Sequence, residues 1–234
     1  MTNPGNANTG YTKAGPIIPR SPFTTSTPMT DPAEFFVAVR AGSTERVQAL
    51  LAKTPELAHA RSEGATALHF AAIANDRPVV DLLLAARADV NARDDTYQMT
   101  PIGWANEEGH GDMVRHLYDC GAEVDLHQAA AYGLVDHVKD LVRSTRRQVN
   151  AVVGGWTPLQ LATLWGHQAV VELLLSRGAD PLVRDPFGRT TLEVARAQAE
   201  SNAKGTPIVR EERRREIVQA CARIVELLEQ RSPH

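Results

Sequence analysis

The chain of 234 residues contains only two cysteines, Cys120 and Cys221, which lie far apart in the sequence. Two distant cysteines cannot form the disulfide framework of a small secreted protein, so we expect a reducing, cytoplasmic location. Free cysteine is among the most buried residue types, and each of the two is therefore predicted to be a small buried side chain on a helix.

Long apolar runs and an excess of one charge are also missing. No apolar stretch approaches the roughly 20 residues that a membrane-spanning helix needs. The 25 Lys and Arg residues nearly balance the 28 Asp and Glu residues, which gives a net charge of -3. This balance provides no electrostatic attraction to nucleic acid or to anionic lipid, so neither is an expected partner.

Sequence motifs for catalysis and metal binding are missing as well. The chain has no Gly-x-Ser-x-Gly elbow, no phosphate-binding loop, and no His-x3-His or Cys-x2-Cys pair. Glu107 and Glu108 are adjacent, and neighbouring side chains on a helix point about 100° apart, which makes a poor acid–base pair. We therefore expect a protein that is not an enzyme, with no cofactor, no metal and no small-molecule substrate.

Residues 1–30 differ in composition from the rest of the chain. They are rich in Pro, Thr, Gly and Asn, and no spacing of their apolar residues could form a buried face. Such a segment is predicted to be disordered, because burial cannot offset its ordering entropy. It is interpreted as an inert leader, a short binding motif or a secretion signal.

From residue 31 onward the chain repeats itself. Three units share a threonine-led apolar motif, a Val/Leu-rich run and a closing segment, and in each the threonine lies 23 residues before an acidic residue. The first threonines, Thr66 and Thr100, are 34 residues apart, and Thr157 and Thr190 are 33 apart. The matched segments begin with Thr66-Ala67-Leu68-His69, Thr100-Pro101-Ile102-Gly103 and Thr157-Pro158-Leu159-Gln160. A fixed period of this length is typical of stacked repeats, since one such unit cannot bury both of its apolar faces.

These motifs resemble the ankyrin repeat, a β-hairpin turn followed by two antiparallel helices. The resemblance covers residues 31 to about 231 and implies an all-α solenoid of stacked helix-turn-helix units with short β-hairpin fingers. The units are predicted to be an N-terminal capping unit (31–63), four internal units (64–97, 98–123, 124–154 and 155–187) and a C-terminal capping unit with a long last helix (188–234).

The fourth unit departs from the pattern. After Val124 and Asp125 the chain enters Leu126 directly, with no turn residues and no Thr-Pro. Ile102 and Leu126 are only 24 residues apart, so the hairpin between the third and fourth units is predicted to be missing or vestigial. The resulting notch is interpreted either as room for a bulky partner element or as the neutral loss of a surface loop.

The resemblance also explains four of the eight histidines. His69 and His127 occupy the position whose imidazole usually joins neighbouring turns by hydrogen bonds. His110 and His167 follow the glycine between the two helices of a unit. A structural role is expected for all four.

Members of this family bind partners along the concave face of the solenoid. Hairpin tips, the residue before the Thr-Pro threonine and the two residues before the inter-helix glycine make the contacts. Trp104 and Phe70 lie within the framework and are interpreted as packing residues. The partner-binding candidates at the variable positions are Tyr97, Met99, Glu107, Glu108, Tyr132, Trp156, Leu164, Trp165, Phe187 and Arg189.

Two functions are open on the sequence alone. The first is a protein-binding module that acts as an adaptor, inhibitor or immunity-like factor. The alternative is a secreted effector whose N-terminal segment directs export and whose repeats bind a host protein. Aromatic anchors at the variable positions could instead pack against the adjacent hairpins, and the glutamates favour a partner with some basic character.

Overall fold

The protein was analysed as a computed structural model that describes residues 32–144, 148–203 and 211–231. The segment predicted to be disordered, 1–30, lies outside the described residues. None of the helices in the described part of the chain is long and apolar enough to cross a membrane.

The described residues form twelve α-helices that associate in consecutive pairs. The first helices of the pairs are α1 (Pro32–Arg40), α3 (Ala67–Ile73), α5 (Pro101–Glu107), α7 (Leu126–Ala131), α9 (Pro158–Leu164) and α11 (Thr191–Ala203). The second helices are α2 (Thr44–Lys53), α4 (Arg77–Ala85), α6 (Gly111–Asp119), α8 (Val135–Ser144), α10 (Gln168–Ser176) and α12 (Glu211–Arg231). A 3₁₀ helix, Pro55–His59, follows α2. The predicted all-α solenoid of helix-turn-helix units is confirmed.

Strand structure is confined to the loops that join one pair to the next, which we call fingers. Strands β1 (Arg61–Ser62) and β2 (Ala65–Thr66) form an antiparallel hairpin with Arg61 opposite Thr66. A single antiparallel bridge joins Val153 to Trp156 in a later finger. The fingers of the described chain therefore contain very little sheet.

The turn inside each helix pair needs a left-handed residue. Gly109 (φ 75°) and Gly166 (φ 74°) provide it after α5 and α9. Glycine adopts this conformation without the penalty that a Cβ imposes, and it lets the second helix fold back on the first. Asn75 (φ 56°) occupies the same place after α3, as asparagine can.

One continuous core runs through the stacked pairs. Small residues of the first helices, such as Ala71 and Ala72, are completely buried and allow close helix packing. Leucines of the second helices, Leu83, Leu117 and Leu174, are also completely buried. Each such leucine stabilises the fold by about 1.5–3 kcal/mol relative to an exposed one.

Polar side chains connect each unit to the next. His69 donates from Nε2 to the Met99 carbonyl (3.0 Å), and His127 donates to the Ala151 carbonyl (2.9 Å). Gln160 stands at the same repeat position and its Nε2 donates to Val183 O (2.9 Å). These contacts confirm the predicted role of His69 and His127.

The other two framework histidines point the opposite way along the stack. His110 donates to Ile73 O (3.1 Å) and His167 donates to Ala131 O (2.9 Å), so each reaches back to the preceding unit. The structural role predicted for these residues is also confirmed. Histidine side chains therefore form hydrogen bonds both to the unit that follows and to the unit that precedes.

Two asparagines make a further link that the sequence analysis did not identify. Asn91 accepts from Glu123 N (2.8 Å), and Asn150 accepts from Asp180 N (2.8 Å). Each asparagine thereby holds the chain that follows the second helix of the next unit. The sequence contains a signal for this link, because each asparagine directly follows a valine near the end of a unit.

The burial prediction for the cysteines is half wrong. Cys221 is completely buried on α12, as expected. Cys120 is exposed, because it is the C-cap residue of α6, where the chain leaves the helix. The helix end, rather than its apolar face, determines the environment of Cys120.

Candidate protein-binding surface

A buried carboxylate shapes the finger of residues 86–100. Asp94 is 2% exposed and accepts four hydrogen bonds of 2.6–3.0 Å, from the backbone N–H groups of Thr96, Tyr97 and Met99 and from the indole Nε1 of Trp104. Burial alone would raise the pKa of Asp94, but the four donors hold it below its usual value. The finger is thus fixed from inside, and it presents Tyr97 with 76% of its surface exposed.

The finger of residues 177–190 uses the same device. Asp185 is 5% exposed and accepts from Phe187 N (2.9 Å), Arg189 N (2.8 Å) and the Arg189 guanidinium. These bonds overcome the effect of burial and lower the pKa of Asp185. Phe187 is left 74% exposed at the tip.

Between the third and fourth helix pairs the connection is short. Helix α6 ends at Asp119 and α7 begins at Leu126, whereas α4 ends at Ala85 and α5 begins only at Pro101. The backbones of neighbouring first helices pack closely in the pairs α1–α3, α3–α5, α7–α9 and α9–α11. The backbones of α5 and α7 make few close approaches. The stack therefore opens between α5 and α7, in the region that we call the notch.

Gly103 lies on the α5 side of the notch. It occupies the repeat position of His69 and Gln160, whose side chains bond to the backbone of the next finger. A Cβ placed on Gly103 would lie 3.2 Å from Met99 Cε and 3.3 Å from Tyr132 Oη. Two side chains from different units therefore fill the space that a framework side chain occupies elsewhere.

The second helices partly compensate for the missing finger. Tyr118 on α6 and His137 on α8 are joined by a 2.8 Å hydrogen bond between the hydroxyl and Nδ1. His137 also donates from Nε2 to Val124 O (2.8 Å). This contact holds the short connection against α8.

An apolar groove of about 450 Å³ lies beside the notch, and we call it the notch groove. Its lining residues are Ile73, Tyr97, Met99, Trp104 and Glu107. Burial, and then the neighbouring charge of Glu108, raise the pKa of Glu107. Among the described residues, no Lys, Arg or His nitrogen lies within 4.0 Å of either carboxylate.

Tyr132 borders the same region. It is half-buried and packs against the core, with its hydroxyl near Gly103. Burial raises the pKa of Tyr132 to about 12, and the charges of Glu107 and Asp125 contribute in the same direction. The charge of Arg93 and a hydrogen bond with Gln128 act in the opposite direction.

A second group of candidates forms what we call the finger cluster. The Trp156 and Phe187 rings meet edge to face with 6.4 Å between centroids, and the Arg189 guanidinium lies 4.9 Å from the Phe187 centroid. Trp156 is half-buried, so part of its surface packs against the next finger. The packing alternative holds for one side of this indole, and the Phe187 ring remains mostly exposed.

Leu164 and Trp165 belong to neither group. Leu164 is the last residue of α9 and Trp165 is its C-cap; both are half-buried. Trp165 makes no ring contact with another described aromatic residue. The structure therefore separates the ten candidates into the notch, the finger cluster and this helix end.

Sequence reasoning missed part of the groove. Trp104 does pack, with its ring 5.1 Å from His69 and 5.7 Å from Phe70 between centroids, as interpreted. It also lines the notch groove together with Ile73, a role that was not predicted for this framework tryptophan. The repeat pattern identifies framework positions, but it cannot show that a framework ring also lines a groove.

The nearest approach to a catalytic arrangement is a Cys–His–Asp contact on the second helices. Cys120 Sγ lies 3.9 Å from His116 Nε2, and that same nitrogen lies 2.6 Å from Asp81 Oδ1. Burial and then the Asp81 and Asp119 charges raise the pKa of the Cys120 thiol, which is the opposite of nucleophile activation. In the described part of the chain no three His, Cys, Asp or Glu side chains are grouped to hold a metal ion.

Stacked helix pairs, glycine turns and projecting fingers define a helical repeat protein. Comparison with family models agrees: the model for ankyrin repeats, in three copies, matches residues 35–126 and 125–185. The chain belongs to the ankyrin-repeat family. Ankyrin repeats are generally protein–protein interaction modules, and the family is typically not enzymatic.

Three relatives show the range of the similarity. The ankyrin repeat protein YahD of Escherichia coli K12 is 29% identical over 180 residues, covering 70% of this chain and 89% of YahD. The ankyrin repeat protein FPV223 of fowlpox virus is 28% identical over 123 residues, covering 50% of this chain and 86% of the viral protein. The tyrosine-protein kinase Shark of Drosophila melanogaster is 30% identical over 156 residues, 61% of this chain, but the match spans only 16% of the kinase.

Proposed function

We propose that this protein binds a partner protein along the face formed by its finger tips and the C-terminal ends of its first helices, the concave face in this family. The observation that carries the proposal is that the aromatic candidates remain at least partly exposed, and that buried carboxylates hold the two fingers that present Tyr97 and Phe187. Tyr97 and Phe187 are the extreme cases, at 76% and 74% exposed.

Rigid presentation of these rings favours binding. The backbone around Tyr97 is fixed by Asp94, and that around Phe187 by Asp185. A loop that is already ordered loses little conformational entropy when a partner binds, so more of the contact energy appears as affinity. Exposed aromatic side chains of this kind are common interface anchors, and truncating one at a hot spot costs 2 kcal/mol or more.

Further apolar side chains at the fingers support the same face. Leu182 is 68% exposed, and Val152 and Val153 are 55% and 58% exposed. Val152 and Val153 lie in the finger that carries Trp156, and Leu182 lies in the finger that carries Phe187. Exposed apolar side chains on these fingers are available to a partner. Both described cysteines are free, in agreement with the cytoplasmic location that we propose.

The test is affinity capture from the native cell with the full chain as bait, read out by quantitative mass spectrometry. The wild type is compared with a Tyr97→Ala/Phe187→Ala variant and with Val37→Ala, which truncates a 66% exposed residue of α1 outside both surfaces. We expect the double variant to lose captured proteins that the wild type and Val37→Ala retain. Equal capture by all three proteins would refute binding at the finger face.

A further inference from the structure

The notch groove differs from the other candidate surfaces in having both apolar walls and uncompensated charge. Ile73, Tyr97, Met99 and Trp104 provide the walls, and Glu107 provides the charge at one side. The finger cluster lacks this combination, because its cation, Arg189, is paired with Asp185. The choice of occupant can therefore be argued from the groove itself.

The walls are held in place by the framework. The Trp104 indole donates to Asp94 Oδ2 (2.9 Å), and its ring packs edge to face on His69 and Phe70. A volume of about 450 Å³ lies within the range of ligand pockets, roughly 300–1,000 Å³. It is larger than a single side chain requires, so a short peptide segment with one large apolar anchor fits it.

The charge sets the polarity of the occupant. Burial and Glu108 disfavour the ionised form of Glu107, and a cation placed beside it would stabilise the carboxylate against both effects. Arg93 is the basic group that opposes these charges at Tyr132, and its Nη1 already donates to Gln98 O (2.7 Å). An acidic or phosphorylated segment would be repelled here, whereas lysine or arginine would be attracted.

Resting on the proposed function, we propose that the notch groove binds an apolar–basic segment of the partner protein. A large apolar side chain of that segment packs against Met99 and Trp104, and an adjacent lysine or arginine pairs with Glu107 or Glu108.

The probe is a phage-displayed library of random 16-residue peptides selected on the full chain. We expect enrichment of sequences in which a large apolar residue lies within a few positions of lysine or arginine. Enrichment of acidic or uncharged sequences, or no enrichment, would overturn the proposal.

The best selected peptide is then synthesised with a fluorescent label, and its Kd is measured by fluorescence anisotropy. Glu107→Gln/Glu108→Gln keeps the size of both side chains and is expected to weaken binding at least tenfold and to reduce its salt dependence. Met99→Ala is expected to weaken binding with the salt dependence unchanged. Val37→Ala, on α1 and outside both surfaces, is the matched control and is expected to leave the Kd within twofold.

The outcomes separate this proposal from the broader one. Peptide binding that is lost in Phe187→Ala and kept in Glu107→Gln/Glu108→Gln would overturn the groove assignment and leave the proposed function standing. Tighter peptide binding in Arg20→Glu would show that the chain's own N-terminal segment occupies the groove. A change of oligomeric state in the groove variants, measured by sedimentation, would show that a second copy does so. Either result overturns a partner segment as the occupant.

Discussion

His69 provides the most direct test of how the units are joined. The imidazole is completely buried; Nδ1 accepts from Thr66 N (3.2 Å) and Nε2 donates to Met99 O (3.0 Å). This arrangement requires the neutral ring with its proton on Nε2. Gln160 makes the equivalent pair of bonds, with Oε1 accepting from Thr157 N (3.0 Å) and Nε2 donating to Val183 O (2.9 Å). Glutamine is therefore a structural substitute that cannot be protonated.

The magnitude follows from these two bonds. His69→Ala leaves the buried Thr66 N–H without its partner, at about 1–3 kcal/mol, removes the bond to Met99 O, which keeps only the one from Asp94 N (2.8 Å), and also leaves a cavity. We expect a loss of about 3–5 kcal/mol in the free energy of unfolding at pH 7.5. His69→Gln keeps both bonds and should lose less than about 1.5 kcal/mol, the usual cost of a volume-conserving core substitution.

The pH dependence separates the two residues further. Burial, chiefly, lowers the pKa of His69 below its ordinary value of 6.5. The unfolded chain then binds the proton more readily, so the stability that His69 contributes is present above pH 6.5 and is lost as the pH falls through the lowered folded-state pKa. His69→Gln lacks this titration and should lose less stability than the wild type between pH 7.5 and 5.

The assay is urea unfolding followed by circular dichroism at both pH values. The free energies of unfolding of the wild type, His69→Gln and His69→Ala are compared, and equal m-values show that the three proteins unfold in the same way. The reasoning fails if His69→Gln is as unstable as His69→Ala at pH 7.5. It also fails if the wild type and His69→Gln lose equal stability on acidification.

Two further predictions concern the notch and the cysteines. Tyr132→Ala should lower the free energy of unfolding by about 2–4 kcal/mol, because the ring packs on the core. Tyr132→Phe should stay within about 1 kcal/mol of the wild type. Equal urea midpoints for Tyr132→Ala and the wild type would place the ring outside the core. Cys221 is completely buried, and burial raises the pKa of its thiol to about 11, so iodoacetamide at pH 7.5 should alkylate it only in denaturant. Cys120 is exposed but its pKa is also raised, so it should react slowly in the folded protein. Intact-mass spectrometry at timed intervals distinguishes the two sites, and rapid labelling of Cys221 without denaturant would contradict its burial.

The sequence was sufficient for what the repeat period determines. His69, His127 and Gln160 recur at one position, and a recurring position in a stack meets the same neighbour each time, so their contacts to the next unit follow from the pattern. The same logic covers the glycine turns after α5 and α9. What the period does not determine is how side chains outside the framework meet across units.

The two faces of Trp104 show the difference. Its contacts with His69 and Phe70 are contacts between adjacent repeat positions and were predictable as packing. Its place in the groove depends on how Ile73 of α3 and the 86–100 finger stand around the indole, which is a tertiary arrangement. Cys120 was misjudged for a related reason, because a difference of one residue at the end of α6 decides between the core and the solvent.

The missing finger and Gly103 are connected by one physical requirement. A histidine or glutamine at position 103 would project toward a finger that the chain between α6 and α7 does not contain, and a buried polar group without a partner costs about 1–3 kcal/mol. Glycine removes that cost, and Met99 and Tyr132 occupy the space instead. Met99 belongs to the unit of Gly103 and Tyr132 to the next unit, so a thioether and a phenol meet across the junction of the two units. The α5–α7 junction is therefore filled by side chains of two neighbouring units rather than by a framework bond to a finger, whereas the notch groove is lined by residues of α3, the 86–100 finger and α5.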